Sequence, residues 1–338
     1  MRRIVLTIQC IIAFLVHPVQ SQEKYFMTVS GKLPVEKVNM VLEHEHVVTN
    51  FTGADNLKKP PLDKADALKL IIPSVNRVKQ AGVNLLLECT PAYIGRDPEL
   101  LKEIASRTGI NIVTNTGFYA AVDKKYLPQF VYTATWEKIA EIWEDEFANG
   151  IGGSSIRPGF IKLGVGSGKL DSIESKLLMA AVSVSKHTGL TIAVHTGDFE
   201  AAFDEYNIIV KANLDPAKLV WVHAQNATND QRKELAEKGV WVSMDGVNEN
   251  KLDEYVNAIL FFKEKKILHK LLISQDDGWS VLSNGSYDTL ELFKNGNSAA
   301  YNTIATKLIP LLKKKGFSEP EISQLMKLNP VNCFALKE

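Results

Sequence analysis

Eight short apolar runs, each followed by a longer stretch with helical spacing, constrain this chain more than any other feature. The runs are Val38–Val47, Val83–Cys89, Ile110–Asn115, Gly159–Val165, Leu190–His195, Leu219–His223, Val240–Met244 and Leu271–Gln275. Amphipathic segments lie between them, among them Lys64–Ala81, Pro98–Thr108, Trp136–Ala148, Ile173–His187, Asp230–Lys238 and Lys251–Lys265. Near-continuous apolar strands separated by helices read as a parallel sheet covered on both faces. Eight such units read as an α/β fold, the (β/α)8 TIM barrel, which holds 250 residues or so in one domain. A doubly wound sheet is the alternative. No Gly-x-Gly-x-x-Gly turn follows the first run, which weakens its dinucleotide-binding version. Gly82, Gly109, Gly189 and Gly239 each stand between a helical stretch and the next strand. Glycine just past a helix takes the left-handed conformation at low steric cost. After residue 300 two closing helices are expected, broken at Gly316-Phe317-Ser318, with Ser318 as N-cap.

The first 21 residues have a different character. Arg2 and Arg3 precede a mostly apolar run, Ile4–Val16, and then Val19-Gln20-Ser21. That order is the three-part design of a secretory signal peptide. Residues 1–21 are therefore expected to be removed, leaving residues 22–338 as a single (β/α)8 domain, periplasmic or secreted. No later stretch approaches the roughly 18 apolar residues of a membrane helix, so no membrane contact is expected after cleavage. The 39 Lys+Arg balance 39 Asp+Glu, which argues against nucleic acid as a partner. A small-molecule substrate is the expected partner, and a homodimer is left open. Three cysteines exclude a disulfide scaffold, and only Cys89 and Cys333 remain after cleavage.

The chemistry-bearing residues gather at strand ends. His44-Glu45-His46 lies in the first run, where residues two apart share a face. His44 and His46 are expected to project into the barrel and Glu45 towards the helix layer. Two neutral imidazoles on one side suit a divalent transition metal. His195 closes the fifth run, His223 closes the sixth, and Asp276 follows the eighth. The C-terminal ends of barrel strands are where barrel catalysis happens. His187 and His269 sit next to helix-end lysines and read as solvent-facing. Lys162 is out of place in the apolar run Gly159–Val165, because a buried ammonium is costly unless paired. It could pair, reach the rim, or take up carbon dioxide to become an anionic carbamate with two oxygens.

His44-x-His46, Lys162, His195, His223 and Asp276, in this order, resemble the amidohydrolase superfamily and, within it, the phosphotriesterase-like family. Further stretches agree: Thr90-Pro91 with Gly95-Arg96-Asp97, Thr108–Val113, Thr116-Gly117-Phe118-Tyr119, Val194-His195-Thr196 and Leu328-Asn329-Pro330. The resemblance spans about residues 36–335. It implies two divalent metal ions, typically zinc, with iron, manganese or cobalt also used. His44, His46 and Asp276 would hold the buried ion, and His195 and His223 the exposed one. Carboxylated Lys162 and a hydroxide would bridge them. The hydroxide would attack a lactone or carboxylic ester carbonyl, or a phosphotriester phosphorus. Asp276 would take the proton, and Tyr119 would donate to the substrate oxygen. The family pattern commonly has an acidic residue shortly after the strand-6 histidine, whereas His223 is followed by Ala224-Gln225-Asn226. Asp276 is followed by Asp277, and Asp276 is the favoured ligand because Ser274 alternates with it. An exported metal- or ligand-binding barrel without turnover is the alternative function.

Overall fold

The computed structural model describes residues 23–57, 63–283 and 288–338. The expected signal peptide, residues 1–21, lies outside the described residues. All eight apolar runs form strands: β1 (Val41–Glu45), β2 (Leu85–Glu88), β3 (Asn111–Val113 continuing as Asn115–Thr116), β4 (Phe160–Gly164), β5 (Ile192–His195), β6 (Leu219–Val222), β7 (Trp241–Met244) and β8 (Leu271–Ile273). Each is parallel to the next. β3 is not one unbroken strand. Its first part pairs with β2 and its second with β4, and Thr114 O at the break accepts from Gly159 N at 2.8 Å. β8 returns to β1 through Asp276 N to His44 O (3.2 Å) and His46 N to Asp277 O (2.7 Å). The fold is therefore the (β/α)8 barrel.

Seven helices fill the outer layer: α1 (Lys64–Gln80), α2 (Pro98–Thr108), α3 (Trp136–Asn149), α4 (Ser172–Thr188), α5 (Phe199–Lys211), α6 (Asn229–Glu237) and α7 (Leu252–Glu264). Their starts follow local capping chemistry. Asp97 accepts from Leu100 N ahead of Pro98, and Asp171 forms a capping box with Glu174. The glycines after α1, α2, α4 and α6 all have positive φ. The closing helical segments run from Ile304 to Lys314 and from Glu319 to Phe334, with Ser318 and Glu321 exchanging the reciprocal bonds of a capping box. His187 is 66% exposed and pairs with Glu144, and His269 is exposed.

Two hairpins were not anticipated. Lys24–Thr28 and Gly31–Pro34 pair antiparallel, and Leu336–Lys337 adds to the first of them. This small sheet lies beneath the barrel, where Phe26 joins Val38, Val41, Leu85, Phe160, Trp241 and Phe334 in one buried cluster. Trp279–Ser283 and Asp288–Leu292 form the second hairpin in what reads as a loop after β8. Its first strand also pairs with Val48–Thr49, just past β1. The polar ends of both hairpins hide the alternation that would mark them.

Candidate metal centre

β1 does not keep a simple period of two. Its register against β2 shifts between Leu42 and Glu45. Strict alternation would place Glu43 opposite His44 and His46. Instead Glu43 reaches past β8 to accept from Ser243 Oγ of β7 at 2.5 Å, so it too lies inside the barrel. Burial, reinforced by the negative charge of Asp245, raises its pKa to about 8. Glu45 stays out of the pocket. It is not solvated, however: its carboxylate accepts from Ser274 Oγ (2.7 Å), Gln275 N (3.0 Å) and Asp277 N (2.8 Å).

His44, His46, Tyr119, Lys162, His195, His223 and Asp276 all line one pocket of about 170 Å³ at the C-terminal ends of the strands. Asp276 Oδ1 lies 3.5 Å from His44 Nε2 and 3.1 Å from His46 Nε2. One donor atom from each of these three residues falls within 4.8 Å of the others, a spacing that suits one metal ion. The His195 and His223 rings are 4.3 Å apart between centroids, and His223 is 5.4 Å from His44. Asp276 and His223 both have positive φ, 54° and 66°, an uncommon conformation for such residues and one that gathers at functional sites. Asp277 faces away from the pocket.

The electrostatics favour ligation. Burial and the nearby Lys162 charge pull His44 down to about 4, so its ring is neutral at ordinary pH. Burial and His223 lower His195 well below its usual value. Burial raises the carboxyl of Asp276, but the surrounding histidines outweigh it and hold the group well below the usual carboxylate range. Lys162 is 2% exposed, and among the described residues its Nζ has no hydrogen-bond partner. A buried, unpartnered ammonium beside four imidazoles fits poorly as a structural residue. Carboxylation would replace that charge by an anionic two-oxygen group in the same pocket as the imidazoles.

Asp245, which follows β7, was missed. It is fully buried. Its Oδ1 accepts from His223 Nδ1 at 2.7 Å, and its Oδ2 lies 2.8 Å from His44 Nδ1, though off the hydrogen-bond line. Gln225 Nε2 braces the carboxylate at 3.0 Å, and Asn226 is exposed. The acidic neighbour absent from the loop of His223 therefore comes from the next strand. Holding Nδ1 leaves Nε2 of His223 as the free nitrogen, the usual second-layer arrangement around a metal. Thr90 Oγ1 does the same for His46 Nδ1 at 2.8 Å. The signal was available, since Asp245 closes an apolar run as His195 and His223 do.

Asp245 also makes His223 sensitive to pH. Burial lowers the imidazole, but the charge and hydrogen bond of Asp245 outweigh it, so the pKa is raised. A protonated ring cannot bind metal, so metal affinity is expected to fall as pH drops through this raised value. Asp245→Asn should move that fall to lower pH. It should also weaken binding at high pH by about 10–100-fold, because the ring loses its orienting partner. Chelator competition across a pH series checks both effects; an unmoved midpoint would refute the assignment.

Aromatic rings rim the pocket. Contacts run from His195 to Tyr119 (4.9 Å), Tyr126 (5.8 Å), Phe51 (6.1 Å), Phe293 (6.3 Å) and back to His46 (5.8 Å). Tyr119 is raised well above its ordinary pKa, first by burial, so its hydroxyl keeps its proton.

Other expected stretches serve the frame. A Cβ at Gly117 (φ 126°) would sit 2.1 Å from Lys162 O, so only glycine lets β3 pass β4 there. Asn329 Nδ2 donates to Leu268 O (2.8 Å) and Leu271 O (2.6 Å) and clamps the start of β8. Arg96 makes a two-point ion pair with Glu146 of α3 and donates to Asn115 O of β3.

A parallel barrel that gathers four histidines, an aspartate and a lysine at the C-terminal ends of its strands has the frame of a hydrolase barrel. The chain belongs to the phosphotriesterase family, whose sequence pattern it matches over residues 24–334. It is 25% identical over 313 residues to the aryldialkylphosphatase of Saccharolobus solfataricus, covering 90% of this chain and 98% of that protein. It is 28% identical over 342 residues to the phospho-furanose lactonase of Mycoplasmopsis synoviae, covering 94% and 93%. Among solved structures, an organophosphorus hydrolase from Deinococcus radiodurans superposes with a TM-score of 0.80 at 22% identity, covering 93% of this chain and 98% of that one.

Proposed function

We propose that this chain is a metal-dependent hydrolase of neutral lactones or carboxylic esters, with phosphotriesters as the second substrate class. One observation carries the reading: four histidines, Asp276 and the unpartnered Lys162 share a single pocket. His44, His46 and Asp276 would hold one divalent ion, His195 and His223 the other, and carboxylated Lys162 both. Zinc is the first candidate, with iron, manganese and cobalt behind it. Such ions supply Lewis acidity and lower the pKa of water.

The side chains do the rest. Asp276, held ionised, accepts the proton released as water adds to the substrate. Tyr119, held protonated, donates to the substrate oxygen. Asp245 and Thr90 keep His223 and His46 in the ligating orientation. The described residues lining the pocket include no Arg and no Lys besides Lys162, which favours neutral substrates over phosphorylated ones. The names of the two relatives, a lactonase and a phosphatase of aryl dialkyl esters, support hydrolysis as the reaction type.

The test is a screen of lactones, esters and phosphotriesters with zinc-loaded protein, alongside metal analysis. Wild type is expected to carry two ions per chain and to hydrolyse at least one neutral class. His44→Ala should lose the ion held with His46 and reduce hydrolysis to background. Two bound ions without turnover of any class would instead favour the exported binding protein.

A further inference from the structure

We propose that Asp277, the neighbour of the candidate ligand Asp276, is a positioning residue that fixes the aromatic wall of the pocket by tying segment 293–301 to the end of β8. The inference rests on the reading that this pocket takes the substrate.

Asp277 is fully buried and lines no part of the pocket. Its Oδ1 accepts from Asn295 Nδ2 (2.5 Å) and Asn297 Nδ2 (2.9 Å), and its Oδ2 accepts from Tyr301 N (2.8 Å). Its main chain faces the other way. Asp277 N donates to Glu45, and Asp277 O accepts from His46 N at 2.7 Å. One residue thus joins β1, β8 and the segment that returns from the hairpin. Phe293 opens that segment. Its N donates to Gly278 O at 2.9 Å, and its ring stands against His46 and Phe51. Tyr301 closes the segment, with its hydroxyl donating to His46 O at 2.6 Å. The room is tight, since a Cβ at Gly278 would lie 2.4 Å from His46 O.

Three donors converge on two oxygens. Asn295 Nδ2 also reaches Gln275 O and Asp276 O (both 3.3 Å) and Asn297 Nδ2 also donates to Val247 O (3.0 Å), so Asp277 ties these backbone strands and Tyr301 N (2.8 Å) into one knot. A carboxylate, with an acceptor oxygen on each side, receives all three. An asparagine must turn its NH2 towards at least one donor, which leaves buried groups unpaired. The two consecutive aspartates therefore divide their work: Asp276 faces the candidate ligands, and Asp277 holds the wall that a substrate substituent touches.

The experiment uses the full zinc-loaded chain, a neutral aryl ester and a neutral aliphatic lactone. Asp277→Asn and Asp277→Ala are compared with Phe293→Ala, the Asp277→Ala/Phe293→Ala double variant and Asp276→Ala. The Asp277 variants should retain two ions per chain, whereas Asp276→Ala loses metal. KM for the aryl ester should rise about tenfold while kcat changes little, the signature of lost binding rather than lost chemistry. The double variant should be no worse than Asp277→Ala alone, because both changes remove the same wall. Metal loss in Asp277→Asn, an unchanged KM, or multiplying effects in the double variant would overturn the proposal. If Asp277→Ala does not fold, Asn295→Ala and Asn297→Ala, which each remove one donor, should raise KM in the same direction. If wild type hydrolyses neither probe, the functional reading fails on its own. Hydrogen exchange across 293–301 then decides the positioning role: faster exchange in Asp277→Asn supports it, and unchanged exchange sinks it.

Discussion

Lys162→Met is expected to strip the protein of metal and reduce hydrolysis to background while making the metal-free chain more stable. Methionine has nearly the length of lysine and carries no charge. In the metal-free chain it replaces a buried ammonium whose Nζ has no partner among the described residues. That exchange should stabilise the apo fold by about 1 kcal/mol or more. The gain has a functional cost, because the variant cannot form the carbamate that would offer one oxygen to each ion. Lys162→Ala should behave alike, and acetate or propionate should partly restore metal content and activity by filling the vacated space. Thermal melts of the apo proteins, metal analysis and the hydrolysis assay read the three effects separately. Two bound ions and full activity in Lys162→Met would rule out a bridging role.

Glu146→Ala is expected to destabilise the fold strongly. Arg96 and Glu146 are 8% and 17% exposed, and the guanidinium meets both carboxylate oxygens. Thr116 Oγ1 also donates to Glu146 at 2.6 Å. Removing the carboxylate leaves the guanidinium with only the Asn115 carbonyl, in a mostly buried position at the wall of a cavity of about 690 Å³. Breaking a buried pair from one side costs about 3–5 kcal/mol. The loss should appear as a lower denaturation midpoint with an unchanged denaturant slope. Arg96→Met/Glu146→Leu, which removes both charges, should recover much of it. A Glu146→Ala chain within about 1 kcal/mol of wild type would show that the pair is solvated after all.

The pattern of strands and helices was legible because each barrel strand is buried on both faces. Its run is therefore apolar throughout, and a polar residue at its end stands out. That contrast marked His195, His223, Asp276 and Lys162. The register shift in β1 was not legible, because a bulge leaves no mark in a five-residue pattern whose every member is buried. Asp245 escaped for a different reason. The loop after His223 is where an acidic partner is expected from sequence, whereas neighbours in a barrel come from adjacent strands, as Asp245 does. The hairpin Trp279–Ser283 with Asp288–Leu292 was obscured because its second strand opens on Asp288-Thr289 and none of its residues is buried, like a surface loop. Segment 293–301 owes its path to Asp277, a tertiary contact that no local periodicity encodes.

The small sheet beneath the barrel has a consequence for folding. Lys24 pairs with Lys337, Tyr25 with Leu336, and Glu338 N donates to Glu23 O at 3.1 Å. Lys32 adds an ion pair to Glu338 at 2.6 Å. Lys24–Thr28 gains this edge partner only once Leu336–Lys337, from the far end of the described residues, reaches it. Phe26 likewise waits for Phe334 to complete the cluster below Phe160. Contacts so distant along the chain close late, since their loop entropy must be met before they reward it. The floor of the barrel is thus closed by pairing between segments far apart in sequence, and that end of the barrel stays open until they meet.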